Sequence, residues 1–187
     1  MVRLLALVLL PVLAWASSSD RHVDHKQWPR DFDHLFRKYA KHYFGPHVNW
    51  RWFKAQGIAE SGLNPRARSP AGAVGIMQIM PSTYREIRKK NPLIKDIRDP
   101  RWNIAAGIFY DRQLYRKWKR KGELGTGDRL KFTFASYNAG YGRILKSYKR
   151  ALKKKRKVRR WEHVAPFAPP ETRAYVRRIQ RLVEAAP

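Results

Sequence analysis

The sequence predicts a mainly α-helical fold with short loops. Apolar residues recur at helical spacings, as in Leu130, Phe134 and Tyr137, which stand at i, i+4 and i+7. Proline and glycine interrupt these periodic segments, and no segment alternates convincingly between apolar and polar residues. The chain has 187 residues, 43% of them hydrophobic, which is enough for one domain with a substantial core.

Seven helices follow from this pattern, and local signals explain several of their ends. Gly45-Pro46 ends the first helix, and Pro81 suits the first turn of the third. Asp99-Pro100 marks the start of the fourth helix. Glycine, Asn-Pro and Ser-Pro make 62–75 loop-like, and a short apolar segment follows at 76–80. The predicted helices cover 31–43, about 48–61, 81 to about 90, 101–120, 128–139, about 141–157 and 171–184.

The composition favours a polyanionic partner and excludes thiol chemistry. The chain carries 41 Lys and Arg against 14 Asp and Glu, a formal net charge of +27. Such an excess favours nucleic acid, an anionic membrane surface or an acidic cell-wall polymer. The sequence has no Cys, which excludes disulfides, thiolate zinc sites, Cys nucleophiles and Cys-linked lipid anchors.

The positive charge is densest in the basic segment 143–160. It contains 11 Lys and Arg and no acid. One interpretation is a solvated helix face, and the other is a docking surface for an anionic cell-wall polymer; the density favours docking. A membrane-active role is a third possibility, but the segment has few large apolar residues, so insertion into a bilayer would be weak.

Residues 1–16 have the pattern of a secretory signal peptide. Arg3 precedes an apolar run, and Ala14-Trp15-Ala16 is a cleavage site of the A-x-A type. The alternative, an uncleaved membrane anchor, needs about 20 apolar residues, and the stretch from Leu4 to Ala16 has 13. The sequence therefore predicts a soluble protein exported to the periplasm or cell surface, with no membrane span after cleavage and no lipid anchor. Export also argues against nucleic acid as the main partner.

Glu60 is the candidate acid for catalysis. It ends the second predicted helix among apolar neighbours, and a half-buried carboxyl has a raised pKa that suits a general acid near neutral pH. The glycines that follow allow a ligand to approach the backbone closely, and Gln78 offers an uncharged donor and acceptor for sugar groups. From these residues alone, an exposed Glu60 near a helix end, with glycines that only make turns, is the favoured explanation.

Four motifs in a fixed order favour the catalytic interpretation. In the first motif, Ile76 stands at a position where leucine is typical. The matching residues are Glu60-Ser61, Asn64-Pro65, Ser69, Gly72-Ala73, Gly75, Met77-Gln78, Met80-Pro81 and Thr83; Asn103-Ile104 and Ala106-Gly107; Ala135 to Gly140; and Glu171-Thr172 with Tyr175-Val176. In these residues the chain resembles the soluble lytic transglycosylases of peptidoglycan, a family with the goose-type lysozyme fold. The resemblance covers about 48–182.

The signal-peptide pattern and the resemblance together divide the chain, and the resemblance implies an activity. Residues 1–16 would be the signal peptide, 17–47 an N-terminal lead-in with one helix, 48–182 the transglycosylase catalytic domain and 183–187 a tail. The family cleaves the β-1,4 bond between N-acetylmuramic acid and N-acetylglucosamine in peptidoglycan glycan strands and leaves 1,6-anhydromuramyl ends. A hydrolytic muramidase and a noncatalytic, exported polyanion binder remain the alternatives.

The resemblance also assigns roles to single residues. Glu60 would be the only catalytic acid and base, and Ser61 would support it. Met77, Gln78, Tyr137 and Asn138 would contact the sugar, and Tyr175 would reach the catalytic carboxylate or an acetamido group. Each of these residues also has a purely structural explanation. For example, Tyr137 continues an apolar helix face, and Asn138 stands at a helix end.

No cofactor and no metal are expected. His22 and His25 form the one histidine pair that suggests a ligand set, and no ordered Cys or HExxH pattern accompanies it. A solvated N-terminal segment is the favoured explanation of these histidines.

Overall fold

The computed structural model describes residues 28–121, 124–154 and 157–186, and the predicted signal peptide lies outside them. The described residues form seven α-helices joined by short loops, with no β-strand among them, so the predicted mainly α fold is confirmed. The helices are α1 (Asp33–Phe44), α2 (Arg51–Ser61), α3 (Pro81–Lys90), α4 (Pro100–Lys119), α5 (Thr126–Ala139), α6 (Tyr141–Lys154) and α7 (Pro170–Glu184).

The predicted helix ends hold to within a few residues. Asp99 caps α4, because its side chain accepts a hydrogen bond from the backbone N–H of Arg101 at 2.8 Å. Helix α5 begins at Thr126 rather than 128, since Gly127 does not prevent helix formation there. Two 3-10 turns, Trp161–His163 and Ala165–Phe167, were not predicted, because turns of three residues have no periodicity of their own.

The core is built around α4 and α5. Helix α4 packs against α1 and α5, and α5 packs in turn against α6 and α7. Trp118, Phe132 and Phe134 are fully buried at the centre of this cluster. Helix α2 packs mainly against α7, which brings the end of the chain to the helix that carries Glu60.

The segment between α2 and α3 is irregular, and hydrogen bonds within its own backbone stabilise part of it. Val74 forms antiparallel bridges to Arg68 and to Ile79, and no longer strand develops. Within the described residues, no helix combines the length and apolar character that a membrane span requires.

Candidate active site

Glu60 lies in the last turn of α2, where the chain turns into the 62–80 loop. The helix ends at Gly62, whose N–H donates to the carbonyl of Ile58 at 2.9 Å, and the N–H of Leu63 reaches back to Gly57. Ile58 and Leu63 are buried, and Glu60 keeps part of its surface accessible. The carboxyl is therefore held at the rim of the core rather than on an exposed helix face.

The Glu60 carboxyl accepts a short hydrogen bond from α7. The Tyr175 hydroxyl donates to Glu60 Oε1 at 2.5 Å. Burial raises the pKa of Glu60 from 4.5 to about 7, against the opposing effects of the Tyr175 hydrogen bond and the positive charge of Arg178. Near neutral pH, both the acid and the carboxylate are thus populated.

Asn103 of α4 fixes the loop beside Glu60. Its Nδ2 donates to the carbonyls of Val74 at 2.9 Å and Ile97 at 2.8 Å, and its Oδ1 accepts from the N–H of Met77 at 2.7 Å. Gly75 has a φ of +73°, and a Cβ there would lie 2.4 Å from Asn103 Nδ2. Only glycine fits this close approach, which explains why the motif has one at this position.

Ser61 and Tyr137 hold the same loop from two other helices. Ser61 Oγ donates to the carbonyl of Ile76 at 2.9 Å, and the Tyr137 hydroxyl donates to the carbonyl of Met77 at 2.7 Å. The loop is thereby joined to the end of α2 and to the last turn of α5. Both side chains use their protons within the protein, and their oxygens retain acceptor capacity.

Met77 and Gln78 lie on this loop in different environments. Met77 is fully buried, and its side chain packs where a Cβ on Gly107 would stand. Gln78 has a φ of +43°, and its Nε2 donates to the carbonyl of Gly75 at 2.9 Å. The amide nitrogen thus braces the loop, and the amide oxygen is the group that it can offer to a sugar.

Asn138 connects α5 to the first turn of α7. Its Oδ1 accepts from Thr172 Oγ1 at 2.7 Å, and Thr172 is fully buried. The structure therefore brings Glu60, Ser61, Met77, Tyr137 and Tyr175 into one connected set of contacts. Asn138 is linked to that set through the helix that carries Tyr175.

Sequence reasoning missed two buried polar residues, Asp111 and Gln56. Asp111 of α4 is fully buried, and burial raises its pKa well above the ordinary range. Gln56 Nε2 donates to Asp111 Oδ1 at 3.4 Å, one helical turn before Glu60. A signal was available, because Asp111 continues the apolar stripe of Ile104 and Ile108 along α4.

Comparisons with known proteins agree with this geometry. The transglycosylase SLT domain family matches residues 35–159, about two thirds of the chain. The membrane-bound lytic murein transglycosylase F of Shewanella sediminis is 30% identical over 125 residues, which cover 66% of this chain and 25% of the relative.

The fold of the chain is also similar to that of solved lytic transglycosylase structures. The 70 kDa soluble lytic transglycosylase of Escherichia coli has a TM-score of 0.69 at 27% identity, covering 84% of this chain and 24% of that one. A complex of the 70 kDa enzyme with bulgecin A has a TM-score of 0.63 at 27% identity, covering 81% and 23%. The likeness confirms the predicted lysozyme-like helical fold, and the chain spans about a quarter of the length of these relatives.

Proposed function

Since the chain belongs to the transglycosylase SLT domain family, we propose that it is a peptidoglycan lytic transglycosylase with Glu60 as its single acid and base. The observation that carries the proposal is the Glu60 carboxyl itself. It is largely buried, has a pKa of about 7 and is bound by the Tyr175 hydroxyl. The substrate is the β-1,4 bond between N-acetylmuramic acid and N-acetylglucosamine, and the product has a 1,6-anhydromuramyl end.

In the first step, protonated Glu60 gives its proton to the glycosidic oxygen, and the bond from that oxygen to C1 of the muramic acid breaks. A carboxyl with a pKa near the working pH is an efficient proton donor that is still available in the protonated form. Because the Tyr175 hydroxyl donates to Oε1, we assign the proton to be transferred to Oε2.

In the second step, the Glu60 carboxylate takes the proton of the C6 hydroxyl while O6 bonds to C1. The net reaction adds no water and returns Glu60 to its protonated form. Tyr175 and Arg178 both favour the transient carboxylate, since each lowers the pKa of Glu60. The attacking hydroxyl belongs to the same sugar, so its high effective concentration substitutes for the second carboxylate of ordinary glycosidases.

The remaining predicted site residues receive supporting roles in the proposal. Ser61 and Tyr137 keep the loop in position against Glu60 through their bonds to loop carbonyls. Gln78 presents its amide oxygen to the sugar, and Met77 fixes the loop by packing into the core. Asn138 approaches the sugar from the end of α5.

A product assay tests the proposal. Purified peptidoglycan is digested, and the fragments are analysed by mass spectrometry. We expect anhydromuramyl ends from the wild type and a loss of at least about 100-fold in rate for Glu60→Gln. Reducing muramic ends would instead identify a hydrolytic muramidase, and full activity of Glu60→Gln would refute the assignment of Glu60. Bulgecin A, which binds the 70 kDa relative, is expected to inhibit the wild type.

Two controls separate lost chemistry from lost folding. Glu184→Gln changes an exposed carboxyl in the last turn of α7 and should leave the rate unchanged. Glu60→Gln itself should be more stable than the wild type at pH 8. The folded protein raises the pKa of Glu60, so ionisation costs stability as the pH rises from 4.5 through about 7. The difference should reach up to about 3 kcal/mol and vanish below the ordinary pKa of glutamate.

We further propose that the protein is exported and that its basic segment holds it on an anionic cell-wall polymer. The described cations of the segment are all exposed: Arg143, Lys146, Lys149, Arg150, Lys153, Lys154, Lys157, Arg159 and Arg160. Among the apolar residues of α6, Ile144 and Tyr148 are buried in the core, Leu145 is half-buried and Leu152 is exposed, so the helix offers little apolar surface for insertion into a membrane. This arrangement supports docking over membrane activity.

A further inference from the structure

Asp111 and Gln56 form an incompletely bonded pair in the core. Both side chains are fully buried, and one hydrogen bond of 3.4 Å joins Gln56 Nε2 to Asp111 Oδ1. Within the described residues, the other oxygen of each group, Asp111 Oδ2 and Gln56 Oε1, accepts no hydrogen bond. Buried acceptors without partners are rare in folded proteins, so this pair needs an explanation.

One proton on Asp111 would complete the pair. A carboxylic acid at Oδ2 would donate to Gln56 Oε1 while Gln56 Nε2 donates to Oδ1, which would give two opposed hydrogen bonds between the same two groups. An ionised Asp111 would leave both acceptors unsatisfied and would place an unpaired charge in the core.

The groups around Asp111 do not favour its charge. Glu60, Tyr137 and Tyr175 face it from α2, α5 and α7, and Tyr110 is its neighbour on α4. None of these groups is a cation, and an ionised Glu60 would repel a second carboxylate. Arg112, the next residue along α4, lies over the rings of Phe44 and Tyr115 instead.

We propose that Asp111 stays protonated in the working enzyme and is a positioning residue for Glu60. Its pair with Gln56 fixes α4 to α2 one helical turn before the catalytic carboxyl. Its neutrality leaves Glu60 as the only group of the site that changes charge near neutral pH. The effect on Glu60 rests on the proposed function, whereas the protonation state of Asp111 does not.

The first test observes the resting protein. The side-chain carboxyl carbons of aspartate are labelled with ¹³C, and the Asp111 resonance is assigned through its backbone and by its absence from Asp111→Asn. We expect the chemical shift of a protonated carboxyl that does not titrate between about pH 5 and about pH 8. A resonance that titrates in the acidic range would overturn the proposal, whether or not the protein cleaves peptidoglycan.

The second test compares pH–rate profiles of three variants. Asp111→Asn can form the same two opposed hydrogen bonds with Gln56 as the proposed carboxylic acid and cannot ionise, so its kcat should stay within about threefold of the wild type, with the same alkaline limb. Asp111→Ala leaves Gln56 unpaired and should lose at least about tenfold in kcat. A loss as large in Asp111→Asn would show that the charge is needed and would refute the proposal.

The third variant, Gln56→Glu, separates positioning from simple core packing. Two facing carboxyls that share one proton carry a negative charge beside Glu60, which raises the pKa of Glu60. The alkaline limb should therefore move to higher pH, a change that a packing defect alone would not produce. An unmoved limb in a folded Gln56→Glu would contradict the proposal, and lack of activity in the wild type would count against the proposed function only.

Discussion

The surroundings of the Glu60 carboxyl have two opposite effects on its pKa. Burial favours the neutral acid, while the Tyr175 hydroxyl and Arg178 favour the carboxylate. Burial has the larger effect, and the resulting pKa of about 7 lets one group donate a proton and then accept one. A fully exposed glutamate would be ionised at neutral pH and could not act as the acid.

Tyr175→Phe should change the pH dependence of cleavage in a definite direction. The substitution removes the hydrogen bond that lowers the pKa of Glu60, so that pKa should rise and the alkaline limb of the pH–rate profile should move to higher pH. The rate should fall about tenfold, because the carboxylate formed after the first step loses a donor. Steady-state rates on purified peptidoglycan across the pH range provide the measurement.

Tyr141→Phe is the matched control, since it removes a hydroxyl from a ring that packs on Trp118 and is not among the groups that shift the pKa of Glu60. It should leave the alkaline limb in place. A limb that moves to lower pH in Tyr175→Phe would show that the hydroxyl does not stabilise the carboxylate.

The 62–80 loop and helix α4 act as a unit, since Asn103 and Gly107 of α4 both meet the loop at Gly75 and Met77. The Asn103 side chain supplies hydrogen bonds that this non-repetitive backbone would otherwise lack. The absence of a side chain at Gly107 leaves room for Met77. The position of the loop beside Glu60 is thus decided by a helix that begins about twenty residues after the loop ends.

Gly107→Ala should disturb this unit. A Cβ at 107 would lie 2.8 Å from the Cβ and Cγ atoms of Met77, which are close to the backbone and cannot easily move. We expect a loss of about 1–3 kcal/mol in the free energy of unfolding and reduced cleavage, measured by chemical denaturation and product release. Gly142→Ala, in the first turn of α6 with open space around it, should instead be neutral or stabilising by up to about 1 kcal/mol. Equal effects of the two substitutions would contradict the packing argument.

The molecule as a whole combines a candidate active site with few cations and a strongly basic surface. The formal net charge is +27, and exposed cations also occur on α3, far along the sequence from the basic segment. Attraction to an anionic polymer therefore has a general part, which any exposed cation supplies, and a local part from the basic segment. The two parts can be separated by removing the same number of positive charges from the basic segment in one variant and from another helix in a second variant.

Neutralising three cations of the basic segment should release the protein from the wall without stopping catalysis. The test variant changes Lys146, Arg150 and Lys153 to Gln. The control variant changes Arg85, Arg88 and Lys89 of α3 to Gln. In co-sedimentation with purified sacculi, the test variant should bind at least about tenfold more weakly and with a smaller salt dependence.

Cleavage of short soluble glycan fragments should stay near the wild-type rate in both variants, because other residues, Tyr175, Asn103, Ser61 and Tyr137, hold Glu60 and its loop in place. Equal loss of binding in the two variants would show that net charge, rather than the basic segment, is responsible. Tighter binding to DNA than to sacculi would favour the alternative of a polyanion binder.

The sequence by itself determined the helices and the catalytic candidate. Amphipathic periodicity and Pro or Gly punctuation are local properties, so the seven helices and most of their ends could be predicted without tertiary contacts. The four ordered motifs indicated the family and singled out Glu60. Glycines such as Gly75 stand in those motifs because the fold leaves no room for a side chain there. The sequence shows the glycines, but it does not show this reason for them.

Only the tertiary structure decided which side chains meet. Tyr175 and Glu60 are 115 residues apart, and Gln56 and Asp111 are 55 apart, so their contacts depend on how α2 packs against other helices. The pKa of Glu60 is likewise a property of everything that excludes water from it. Periodicity indicates that Asp111 faces inward, but only the tertiary structure shows that the buried Gln56 amide is its hydrogen-bond partner.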